Sequence, residues 1–221
     1  MANTLKYQVE RDAVETLAAT WREQLMSISW YMRVLNEGIA REANSEDQCS
    51  GRFWEGRFKS QALLDEKALA ACLAYVDLNP IRAKMAETPE TSDYTSAKKR
   101  IESAKAGEPP TQPNQPVSLL PFAGYPRENM PTGLPFRLQD YLELLDWTGR
   151  QLRRNKRGAI DDSLPPILER LSIESDKWLY TSSHFENSFK NMVGTAQSML
   201  SKCKHLGYQR TPSLTSGLLL T

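Results

Sequence analysis

Histidine is scarce in this chain: only His184 and His205 occur among 221 residues, twenty-one positions apart. No two imidazoles can therefore sit at i and i+2 on one face of a strand, the arrangement in which a His pair would hold a metal ion. The better reading of each is an ordinary surface or core residue. Cysteine is also sparse. Cys49, Cys72 and Cys203 are odd in number, far apart and without a CxxC pair, which excludes a disulfide framework and a zinc knuckle. No apolar run approaches the roughly 20 residues needed to cross a bilayer. The opening MANTLKYQVE lacks the basic, apolar, small-residue order of a secretory signal. The expectation is a cytosolic protein without a membrane partner. Net charge is only +1, so bulk attraction for a polyanion is excluded and any nucleic-acid site must be a local patch.

What is present is an ordinary composition, 40% hydrophobic and 25% charged, enough for one domain with an extension. From Val9 to Leu25 the chain is compatible with a helix. After Ser27, apolar residues recur at Ile28, Met32, Leu35 and Ile39, steps that align them along one helical stripe and predict a core-facing helix. The polar stretch from Asn44 to Gly51 reads as a loop. In RFWEGRFKSQALL aromatic residues alternate with charges, the pattern of a strand or β-ribbon carrying Phe53 and Phe58, with Gly56 at a bulge. Asp65 then opens a helix whose apolar stripe is Leu69, Cys72, Leu73 and Val76. Pro80 places Asn79 at its carboxyl end. Short helices are expected over Ile81 to Met85 and Thr95 to Ala104.

The prolines of AGEPPTQPNQPVSLLP favour an extended spacer, so residues 106–135 read as a linker. Beyond it, helices are expected near Leu138 to Leu152 and Asp176 to Met192, with a proline-broken segment from Leu164 to Leu171. These make a helical extension over 136–205, with Trp147, Trp178 and Phe185 as core residues. The tail, 206–221, reads as unstructured.

Residues 50–86 hold the chemistry. Arg52, Arg57 and Lys59 interleave with Phe53, Trp54 and Phe58, which offers phosphate partners beside flat faces for base stacking. The same pattern also describes a half-buried strand with a solvated charged face. Tyr75 and Asn79 lie four apart and project from one helical face. A phenol attacks phosphorus when a metal or base activates it, and an amide oxygen one turn away can ligate a hard cation. An amphipathic packing tyrosine and a helix stop at Asn79-Pro80 account for the same residues. Arg82 and Lys84 can bind phosphate or face water.

The run GRFWEGRFKSQALLDEKALAACLAYVDLNPIRAKMAETPE resembles the shared signature of REP-associated tyrosine transposases. The correspondence rests on Gly51, Trp54, Arg57, Phe58, Lys59, Ser60, Tyr75, Val76, Asn79, Pro80, Arg82 and Ala83. The preceding SISWYMRVLNEGIAREAN is similar to a helix of the same family, so the likeness spans about 20–105. It implies an α+β, ferredoxin-like domain, of which this mostly α-helical chain holds the carboxyl-terminal half in 1–105. It further implies single-stranded DNA cleavage and rejoining through a 5′-phosphotyrosine, with Tyr75 as nucleophile and Asn79 assisting Mg²⁺ or Mn²⁺. Arg52, Phe53, Trp54, Arg57, Lys59 and Arg82 are then DNA contacts, and single-stranded or hairpin DNA is the partner. The family's His-hydrophobic-His strand has no counterpart here. The expectation is an amino-terminally incomplete member that cleaves little or no DNA and holds no metal. The alternatives are a non-catalytic DNA-binding remnant and a helical interaction module that forms a homodimer.

Overall fold

The computed structural model describes residues 8–106, 115–124, 132–154 and 164–221. The chain divides into two compact units, Met1–Lys59 and Ser60–Thr221. The proline-rich segment read as a spacer thus falls within the second unit, and its prolines 109, 110 and 113 lie outside the described residues.

The first unit is a helical hairpin, α1 (Gln8–Leu25) and α2 (Ile28–Glu46), followed by a chain without regular structure. Ser27 makes the corner. Its backbone is extended, its amide bonds Gln24 O at 3.1 Å, and its hydroxyl caps α2 by accepting from the Trp30 amide at 3.4 Å. Two expectations fail here. Helix α2 was expected to face a core, yet neither helix of the hairpin buries a single residue. The stripe at Ile28, Leu35 and Ile39 is present but exposed, because no described element covers it. The strand expected over 52–64 is also mostly missing. Only Ala62–Leu63 is a strand, since a ladder needs a partner and residues 52–61 find none; Gly56 consequently marks no bulge.

The second unit is almost wholly helical. Its helices are α3 (Glu66–Asp77), α4 (Asn79–Arg82), α5 (Ser96–Lys105), α6 (Leu138–Arg154), α7 (Pro166–Leu171), α8 (Ser175–Ser188) and α9 (Ala196–His205). Two short strands, β1 (Ala62–Leu63) and β2 (Met192–Val193), pair in parallel with Ala62 opposite Met192. This mostly helical architecture agrees with the sequence. The described residues form no sheet larger than this two-residue pair, so the ferredoxin-like part of the expectation has no counterpart among them.

Helix α3 is central, packing along α8. Its buried face is not the stripe of large residues. Ala68, Ala70, Ala71 and Ala74 are fully buried, whereas Val76 is exposed and Leu69, Cys72 and Leu73 only partly covered. Small side chains bring neighbouring backbones close, so a helix in the middle of a bundle hides alanines and leaves bulk at its flanks. Helix α6 supplies Tyr141, Leu144, Leu145 and Trp147 to the same core, and α8 adds Trp178 and Phe185. Trp178 also donates its indole N–H to Thr148 Oγ1 at 2.9 Å, which satisfies its one polar group.

The expected helix over Ile81 to Met85 starts earlier, at Asn79, because Pro80 suits the first turn of a new helix better than the end of an old one. Asn79 therefore opens α4 and does not close α3, whose cap is Leu78. The tail is ordered too. Ser216–Leu220 forms a 3-10 turn with Leu220 fully buried. A Cβ on Gly217 would lie 2.8 Å from the Ala196 amide, so the tail approaches α9 as closely as glycine alone allows.

Candidate functional site

Tyr75 is positioned by the start of its own helix. Asp65 caps α3, its Oδ1 accepting from the Ala68 amide at 2.9 Å, while Oδ2 accepts from the Thr195 amide at 2.8 Å. One carboxylate thereby fixes the origins of both α3 and α9. Burial alone would raise its pKa. Hydrogen bonds from the Ala68 and Thr195 amides and the Ser198 and Thr195 hydroxyls outweigh burial and hold it below its ordinary value.

At the other end of α3, Arg82 folds back. Its Nη1 donates to the Tyr75 carbonyl and to the Ser182 carbonyl, both at 2.9 Å, and its Nη2 donates to Asn79 Oδ1 at 2.9 Å. The guanidinium carbon stands 3.7 Å from the centre of the Tyr75 ring. One arginine thus satisfies a carbonyl near the end of α3, ties α3 to α8 and covers one side of the phenol. Partial burial lowers its pKa, with Tyr75 opposing, and the guanidinium stays charged. Phe185 lies against the ring with centroids 5.4 Å apart, and the hydroxyl reaches Glu186 Oε2 at 3.4 Å.

Arg82 thus brings Tyr75 and Asn79 together, although Asn79 lies in α4 and not on the helix of Tyr75. Their arrangement is that of a packed joint: the phenol is half-buried between a cation and an aromatic ring and donates to a carboxylate. The donor set does not fit Mg²⁺ or Mn²⁺. Asn79 Oδ1 already accepts from a fixed cation, which a metal ion would have to displace. Among the described residues no three His, Cys, Asp or Glu side chains converge. His184 packs against Tyr180 and bonds its carbonyl through Nδ1 at 3.1 Å, and exposed His205 ends α9, so neither imidazole joins Tyr75.

The basic and aromatic residues belong to the first unit. Arg52, Phe53, Trp54, Arg57 and Lys59 are exposed on a chain without regular structure that bends at Glu55 and Gly56, and Phe58 is half-buried. The segment is pinned at one end, where Asn44 Nδ2 donates to Gly51 O at 3.1 Å and the Trp54 indole donates to Asn36 O at 2.9 Å. Phe53 meets Trp54 edge to face with centroids 4.9 Å apart.

Two features escaped the sequence reading. Ser182, Phe185 and Glu186, which surround Tyr75, are more than a hundred residues away, and no local pattern announces them. Asp77 left a signal: a carboxylate inside the apolar run LAYVDL. It is 1% exposed and accepts from Ser96 Oγ at 3.0 Å, the Ala97 amide at 3.1 Å and Tyr141 Oη at 2.6 Å. Burial and the neighbouring Asp77 push the Tyr141 phenol well above its ordinary pKa, so it remains a donor. Comparison of the whole chain with protein families, curated proteins and solved structures gives no match.

Proposed function

We propose that this chain is a non-cleaving relative of the REP-associated tyrosine transposases that binds single-stranded or hairpin DNA through residues 52–59. The observation that carries this reading is the open segment in which Arg52, Arg57 and Lys59 flank the exposed rings of Phe53 and Trp54. Exposed cations can pair with a strand's phosphates, and base faces stack on aromatic rings with little regard to sequence. The engaged Tyr75 hydroxyl supports the non-cleaving part: among the described residues it meets Glu186, and its ring is covered by Arg82 and Phe185.

Fluorescence anisotropy with a labelled hairpin oligonucleotide tests the binding. Three phosphate-contacting cations predict a log-log salt slope of about −2 on a single strand, and Arg57→Ala with Lys59→Ala should remove most of it. Undetectable binding at low salt, or a slope unchanged in the double variant, would sink the proposal. Incubation with Mn²⁺ and the same oligonucleotide should yield no covalent adduct. An adduct that Tyr75→Phe abolishes would restore the catalytic reading.

A further inference from the structure

The hairpin poses a physical problem that DNA binding does not solve. Its helices of 18 and 19 residues are amphipathic, yet bury nothing. Most helical stability in proteins comes from packing an apolar face rather than from intrinsic propensity. On α1 the face runs through Val14, Leu17, Trp21 and Leu25, and on α2 through Ile28, Met32, Leu35 and Ile39, each in steps of three or four, with Tyr31 beside Met32. The two stripes meet at a cleft of about 450 Å³ lined by Trp21, Gln24, Leu25, Trp30, Tyr31 and Val34. Trp21 is 56% exposed, Leu25 86%, Tyr31 65% and Val34 66%.

We propose that this face is the seam of a homodimer, in which the α1–α2 hairpin of a second copy completes a four-helix bundle. Three observations select that occupant. The first is area: with large side chains carrying ~150–250 Å² each, the exposed apolar surface of α1 and α2 is on the order of 1,000 Å², against the ~800 Å² per partner of a stable protein interface. A solitary monomer rarely exposes so large a patch. Charge is the second. Residues 8–46 hold four arginines and no lysine against seven acidic residues, which disfavours DNA or an anionic lipid surface on this face but lets mixed signs pair across a two-fold axis. The third is shape. A pair of helices joined by the tight Ser27 corner is half of an antiparallel bundle, and a two-fold copy supplies the other half with matching helix lengths. The seam is separate from residues 52–59, so a dimer presents two basic-aromatic segments.

Sedimentation velocity of the full chain across micromolar concentrations tests this, alongside the variant Leu17→Glu with Val34→Glu. The wild type should sediment as a dimer, and the variant as a monomer that keeps the near-ultraviolet dichroism of the buried Trp147 and Trp178. A second variant, Leu25→Cys, should form an intermolecular disulfide in a Cys49→Ser background. A wild type monomeric throughout, whether its hairpin stands free, folds onto its own chain or binds a different protein, overturns the proposal. So does a dimer that survives the double glutamate variant, since its seam would then lie elsewhere. DNA binding by residues 52–59 is read separately, by the anisotropy of the monomeric variant, so failure of one proposal is distinguishable from failure of the other.

Discussion

The two units of this chain contain helices of similar quality and opposite fate. Helices α1 and α2 are long, well capped at Ser27 and amphipathic, and they bury nothing; α3 is twelve residues long and buries five. The difference is in what lies opposite. α3 is faced by α8 and shares a core with α6, while the large apolar side chains of the hairpin stay exposed. Amphipathic periodicity records that a helix has an apolar side, and is silent on whether a surface exists to cover it. The hairpin's apolar side stays exposed, and that of the second unit is buried.

Asp77 gives the sharpest test of that contrast. Replacing it with alanine strands the Tyr141 hydroxyl and the Ala97 amide in the interior of the second unit. The expected loss is about 3 kcal/mol or more, a fall in melting temperature of roughly 10 °C for a unit of this size. Calorimetry would read it, and a variant that melts within about 2 °C of wild type would mean the network contributes little beyond geometry.

A matched pair of truncations comes next. Leu144→Ala, at a fully buried site, should cost about 2–5 kcal/mol in the denaturant midpoint of the second unit. Leu17→Ala, on the exposed hairpin face, should leave that midpoint unchanged to within about 0.5 kcal/mol. Equal losses would erase the distinction between the units, since the hairpin would then share the cooperative core.

The smallest effect concerns acid. Asp65 has a depressed pKa in the folded chain, so its contribution is complete above the unfolded value of about 3.9 and is lost as pH falls through the folded value. Asp65→Asn should weaken the second unit by about 1 kcal/mol at neutral pH, as loss of a cap charge does, and flatten the acid limb of its stability profile. An acid limb identical to wild type would assign the pH dependence to other carboxylates.

Much of this fold was legible beforehand because its signals are local. Asp65 announced a helix start, and the sequence patterns placed α1, α5, α6 and α8 within a few residues of their bounds. The burial of Trp147, Trp178 and Phe185 followed from size and apolarity. Alternation over 52–61 misled because it describes a side-chain pattern, whereas a strand also requires a neighbour's backbone. The alanine face of α3 was passed over because small residues score weakly as apolar, though they mark where helices approach closest. Tyr75 and Asn79 could be placed on one helical face by counting residues, although the structure divides them between α3 and α4. Their use as a joint could not, since Ser182, Phe185 and Glu186 come from the far end of the chain.

By itself the sequence determined the helical segments, their caps and the basic-aromatic run at 52–59, all of which depend on interactions within a few residues. Only the tertiary structure decided that alanines line the core, that Arg82 is engaged with Tyr75, Asn79 and Ser182, and that the hairpin's apolar stripe stands uncovered. Burial and pairing depend on which distant surfaces meet, and that is a property of the packed chain rather than of any one segment.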